Sequence, residues 1–285
     1  MIVLINTPYF KESTMSNETR LTLFLSFAIA ALATIASVGG LWLEGLYHDN
    51  LFVTSAWKGN DAITLFVAIP ILIVAMRLSV LGSTRAMLVW LGVLDYFLYN
   101  YAFYLFGAAF NWFFLIYVAL LGLSIFALIF GLVGLDVSGI ATLVSPRFPV
   151  RWIAGYMLFV AAGLTFIYVA QSVGFIFTGV LPSIVTQSGH PTSLVFALDL
   201  TLLVPFLVLG AFWLLRRKPW GYVLAGMTTV KGTLYTLVLS AGSFEASRAG
   251  IPDVAGQIPL WIGLTLMGGM ACGLLYTRIG RKQLA

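Results

Sequence analysis

Charge is what this sequence has least of. Of 285 residues only 9% are Asp, Glu, Lys or Arg, against an apolar share of 61%. A water-facing surface needs about a quarter to a third of its residues charged. Neither one large soluble domain nor two small ones can therefore be built from this chain. Cysteine is almost missing. The single Cys272 lies in an apolar run, which excludes an intrachain disulfide framework and a thiolate metal site. Histidine is as scarce: His48 and His190 both fall in polar stretches that read as loops. Joined by Asp49 or Asp61 they would make a poor metal site, with two ligands on flexible loops. No GxxxxGK[ST], HExxH, CxxC or GxSxG motif occurs. No cofactor, no metal and no catalytic constellation is expected.

What the chain does have is long apolar runs. A hydrocarbon core of about 30 Å takes roughly 20 helical residues. Eight runs qualify, at about 21–43, 62–81, 86–106, 112–135, 152–177, 193–215, 221–241 and 259–279. Membrane barrel strands would be shorter and alternating. The predicted fold is an all-α polytopic transmembrane helical bundle of eight spans in a lipid bilayer. Longer loops are expected at 44–61, 178–192 and 242–258.

The net charge of +5 does not point to nucleic acid here, because cytoplasmic loops of membrane proteins collect Lys and Arg. With the N-terminus inside, Lys11, Arg20, Arg77, Arg85, Arg147, Arg151, Arg216, Arg217, Lys218, Arg278, Arg281 and Lys282 share the cytoplasmic side. Only Lys58 and Arg248 fall outside, and Lys231 lies within a span. Both termini are therefore expected to be cytoplasmic. The first span reads as its own signal anchor, since 1–19 lacks the pattern of a cleaved signal. Met15 is an alternative start. Trp42, Trp57, Trp112, Trp152, Trp220 and Trp261 fall near span ends, where amphipathic rings anchor at the interface.

An internal repeat is expected at an offset near 135. Ser37-Val38-Gly39 matches Ser172-Val173-Gly174, Asp61 with Pro70 matches Asp199 with Pro205, and LDYFLYN (94–100) matches VKGTLYT (230–236). Four spans per half would give two parallel repeats, as some transporters have. The domains would be a cytoplasmic segment 1–19, a half at 20–135, a linker at 136–151, a half at 152–279 and a tail at 280–285.

Three ionisable residues stand well inside spans: Asp95, Asp199 and Lys231. Each costs about 2.5–3.5 kcal/mol at a helix centre, so each should face inward and find partners. The repeat puts Asp95 and Lys231 at equivalent places in spans three and seven. Each has a tyrosine on the same face at i+4, Tyr99 and Tyr235. Two readings remain open. One is a buried ion pair that docks the halves. The other is a ligand or ion site in which Lys231 holds an anion, or Asp95 or Asp199 carries a proton. Span three also offers Tyr96, Asn100 and Tyr104 along one stripe, and span five Tyr168 and Gln171. These groups either line a midplane cavity or bond between helices. Pro70 and Pro205 interrupt spans two and six. Gly263, Gly268, Gly269 and Gly273 point to close packing of span eight within the chain.

RRKPWGYVLAGMTTVKG (216–232), preceded by ALDLTLLVP (197–205), resembles a pattern in a family of bacterial multi-pass membrane proteins of unassigned function. GNDAITL (59–65) and LYNYAFYLFGAAFN (98–111) extend the resemblance. It implies a bacterial or archaeal inner membrane and supplies no activity. The leading expectation is a small transporter or channel-like protein taking a small molecule or ion. Its site lies between spans three, six and seven, at Asp95, Lys231, Asp199, Tyr99, Tyr235 and Asn100. A non-transporting sensor, lipid-binding module or accessory subunit is the alternative.

Overall fold

A computed structural model describes residues 16–280, and eight of its helices are long and apolar enough to cross a membrane. They are α1 (Asn17–Trp42), α2 (Leu51–Val80), α3 (Thr84–Gly107), α4 (Phe114–Val133), α5 (Val150–Thr178), α6 (Leu194–Leu215), α7 (Pro219–Arg248) and α8 (Ala255–Thr277). Short helices Val137–Leu143 and Ser183–Ser188 lie in the α4–α5 and α5–α6 connections. The only β pairing among the described residues is an isolated bridge between Val144 and Ile279. The protein is an all-α polytopic membrane bundle. The expectations for Lys11, Met15, Arg281 and Lys282, and for most of segments 1–19 and 280–285, lie outside the described residues.

The bundle is inverted in polarity relative to a soluble one. Its two least apolar spans stand in the middle. α3 buries 83% of its most apolar stretch and α7 buries 67%, whereas the other six bury between 17% and 39%. Exposed rings on the outer helices, among them Phe24, Phe66, Phe126 and Phe166, are the lipid-facing side of this arrangement. Alternation puts Arg85, Arg147, Arg151 and Arg216 to Lys218 at one end of the bundle, here called the basic end. The connections at 43–50, 108–113, 179–193 and 249–254 are at the other, the far end.

Two boundaries differ from the sequence reading. The stretch 51–61 is helical and continues into α2, and α7 runs seven residues past 241. Asn50 starts α2 by accepting the Val53 amide at 3.0 Å. The polar residues that read as a loop are not solvated: Asn60 and Asp61 are both buried against partners in the bundle. Thirty residues make a helix of about 45 Å, longer than the hydrocarbon core, so α2 and α7 project beyond it.

α2 and α6 share a local feature. Each contains five π-helical residues, Thr64–Ala68 and Asp199–Leu203, and each has a proline, Pro70 or Pro205, two residues further on. Proline lacks the amide proton and its ring collides with the carbonyl four residues earlier. A wider turn before it lets the freed backbone groups find partners. Alignment on the prolines pairs Asp199 with Thr64 and not with Asp61.

Glycines set the closest approaches. No side chain fits between Gly59 of α2 and the backbone of Gly242 on α7. Gly92 of α3 likewise abuts Met227 and Val230 of α7. In α8 only Gly268 packs, against Thr233 and Tyr156, while Gly263, Gly269 and Gly273 have open space beside them. The expectation that the α8 glycines pack within the chain is corrected for those three. The packing is also unequal between the two sides of the bundle. α1 lies along α4, but α5 and α8 barely touch. α7 packs along α2, whereas α3 meets α6 only near its start.

Candidate functional site

The charged centre is built by α3 and α7. Lys231 lies twelve residues into α7, about 18 Å along it from the basic end. Its Nζ is 3.7 Å from Asp95 Oδ1 on α3, and it also sits 4.1 Å from the centroid of the Tyr99 ring. Asp95 and Tyr99 present these groups together because residues four apart share a helix face. The ammonium is thus held between a carboxylate and a π face, the two environments that most offset its removal from water. Lys231 is only 3% exposed.

Asp199 sits at the first π-helical residue of α6 and is also 3% exposed. Tyr99 donates its hydroxyl to Asp199 Oδ1, and Tyr168 of α5 donates to Oδ2 at 2.8 Å. Tyr168 is itself stacked on Phe196 at 4.3 Å. Tyr235 meets Tyr99 edge to face at 4.9 Å. Tyr99 therefore links the two charged groups, with its face under Lys231 and its hydroxyl on Asp199. Among the described residues the ion pairs within 4.0 Å are Lys231–Asp95 and the exposed Arg248–Glu245. Asp199 has hydrogen-bond donors and no cation at that range.

Lys231, Asp199 and their tyrosines border a cavity of about 510 Å³, with Asp95 outside its lining. The gap left between α3 and α6, and the slight contact of α5 with α8, make the room for it. Asp199, Lys231, Tyr99, Tyr168, Tyr235 and Gln171 line its depth. Gly232 adds an open stretch of wall, since a side chain there would meet nothing. The cavity extends under the far-end connections, where Gln187, His190, Val254 and Gln257 line it. Its volume falls in the range of small-molecule sites.

Of the six residues singled out from sequence, five are brought together: Asp95, Lys231, Asp199, Tyr99 and Tyr235. Asn100 is not. It is fully buried on another face of α3, where its Oδ1 accepts from Asn60 Nδ2 at 2.6 Å and its own amide nitrogen has no partner. It belongs to a second polar cluster with Tyr96 and Thr64, whose hydroxyls are 2.8 Å apart.

The sequence reading missed a fourth buried charge. Asp61, assigned there to a loop, is 2% exposed inside the first four helices. Tyr47 donates to its Oδ2 at 2.5 Å and Tyr104 to its Oδ1 at 2.9 Å. Nearby Ser37 Oγ and Tyr117 OH are buried without partners. The signal available was Asp61 nine residues before Pro70, already noted in the repeat. Trp57 also leaves its expected place at the interface. It is buried, stacks on Tyr104 at 4.6 Å and donates Nε1 to Asp49 at 3.1 Å. Trp42, Trp112 and Trp152 are exposed.

Among the described residues no three His, Cys, Asp or Glu side chains stand close enough to hold a metal ion. Comparison of the chain with protein-family models, with curated proteins and with solved structures gives no match.

Proposed function

We propose that this integral membrane protein is a transporter of a small ligand, which it binds in the cavity between α2, α3, α5, α6, α7 and α8. One observation carries the reading: a ligand-sized cavity inside a membrane bundle with a buried carboxylate and a buried ammonium on its wall. Charges at such depth are costly, and they mark ion and substrate paths. A ligand cavity gives them a use that a purely structural core would not need.

The orientation, the membrane and the duplication belong to the same reading. The basic end faces the cytoplasm with both termini, as the distribution of Lys and Arg favours, in the inner membrane of a bacterium or archaeon. Helices α1–α4 and α5–α8 descend from a duplication, supported by the π-helical turn and following proline that α2 and α6 share. The α5–α6 pair is the moving part, pivoting at the π turn of α6. Asp199 then makes and breaks its bond to Tyr99 as the cavity changes sides. Interrupted helices beside a midplane site serve alternating access in this way.

The test is accessibility. In a Cys272→Ser background, single cysteines at Gly232 and Thr236 are labelled with a membrane-impermeant maleimide added to one side of sealed vesicles, then to the other. Labelling from both sides is expected. Labelling from one side only would favour a sensor or accessory protein, and labelling from neither would remove the pathway.

A further inference from the structure

The charges around the cavity do not cancel, and this selects the ligand. The geometry points to a lipophilic monovalent organic cation, with Asp199 as its counter-charge. The inference rests on the proposed ligand-binding cavity and names the class it takes. Among the described residues Lys231 is the one Lys or Arg in the wall, and its charge is already matched by Asp95 at 3.7 Å and spread over the Tyr99 ring. An anion at Lys231 would have to displace a carboxylate that is held in place by the fold. Asp199 faces the same space, with no cation among the described residues within 4.0 Å, held by two neutral hydroxyls. Asp95 does not itself line the cavity but neutralises Lys231 at 3.7 Å, so Asp199 leaves one negative charge at the wall.

The rest of the lining suits a cation with an apolar body. Tyr168, bonded to Asp199, and Tyr235, Phe103 and Trp261 offer aromatic surface in the same cavity. Such faces attract cations, and more strongly where water is excluded. The slack contact between α5 and α8 lies along a side of the cavity lined by Val160, Leu164 and Leu264. An amphiphilic ligand could reach Asp199 through that seam from the lipid as well as from the far end.

Two probes of nearly the same shape and opposite charge decide the matter. Tritiated tetraphenylphosphonium and tetraphenylborate are bound at equilibrium to the full chain in lipid nanodiscs, with empty nanodiscs as the blank. Saturable binding of the phosphonium and none of the borate is expected. Asp199→Asn should weaken phosphonium binding at least tenfold, since a desolvated charge pair is lost. Gly232→Phe should abolish it, because Gly232 lines the cavity with open space beside it and a ring there takes up the ligand's room. Preference for the borate, equal binding of both, or no saturable binding would overturn the inference. So would full affinity in a folded Asp199→Asn. The comparison on the unaltered chain decides even if that variant fails to fold. Two-sided cysteine labelling is read separately. Loss of cation binding with labelling intact overturns the ligand class and leaves transport standing, while the reverse result overturns transport alone.

Discussion

Among the described residues, the acids enclosed in the bundle, Asp61, Asp199 and the half-buried Asp95, are partnered by tyrosine or by lysine, and the choice has consequences. Asp95 has a cation. Asp61 and Asp199 each have two tyrosyl hydroxyls. A hydroxyl can turn to suit its partner, so Asp61→Asn should fold and melt close to the parent. Asp61→Ala would strand two buried donors, at about 1–3 kcal/mol each. A clearly lowered thermal midpoint is expected for Ala and not for Asn, measured in detergent. Asp95 and Lys231 could be paired from sequence because both sit in runs too apolar to be anything but helix, each with tyrosine at i+4. Asp61 could not. It follows Lys58, Gly59 and Asn60, and a hydropathy reading has no means of telling a solvated polar run from one whose partners, Tyr47 and Tyr104, come from elsewhere in the chain.

Among the helices, α7 is the organiser. It contacts α2, α3, α6 and α8, and its threonines return their hydroxyls to its own backbone, as Thr228 and Thr229 do to the carbonyls of Leu224 and Ala225. Its closest crossing is with α2 at Gly59 and Gly242. Gly59→Leu should force these helices apart and cost at least the 1–3 kcal/mol typical of overpacking. Gly263→Leu, with open space beside it, should change little. Thermal unfolding of the two variants side by side checks this. Glycine spacing alone points to span eight, which carries the denser set, and does not single out Gly59. Which glycine faces a neighbour depends on helix rotation, and an α8 apolar on all sides gives no cue to that. The π turns were equally hidden, because the prolines show where a helix is disturbed but not how the backbone absorbs it.

For the whole molecule, eight spans and a central polar pair were legible because lipid permits so few solutions: a continuous helix for each apolar run, and the polar spans inside. The cavity was not, because it comes from unequal packing of the two sides of the bundle. The polar interior divides into a matched pair, Asp95 with Lys231, and an acid with no ion-pair partner among the described residues, Asp199. Thermal unfolding of Asp95→Asn, Lys231→Met, Asp199→Asn and the pairwise doubles tests that division most directly. Asp95→Asn and Lys231→Met should each cost about 3–5 kcal/mol, with most of it regained in their double, because removing one partner strands the other. Asp199→Asn should show little coupling to Lys231→Met. Additive losses at Asp95 and Lys231, with coupling between Lys231 and Asp199 instead, would contradict the account and take away the free negative charge on which the ligand assignment depends.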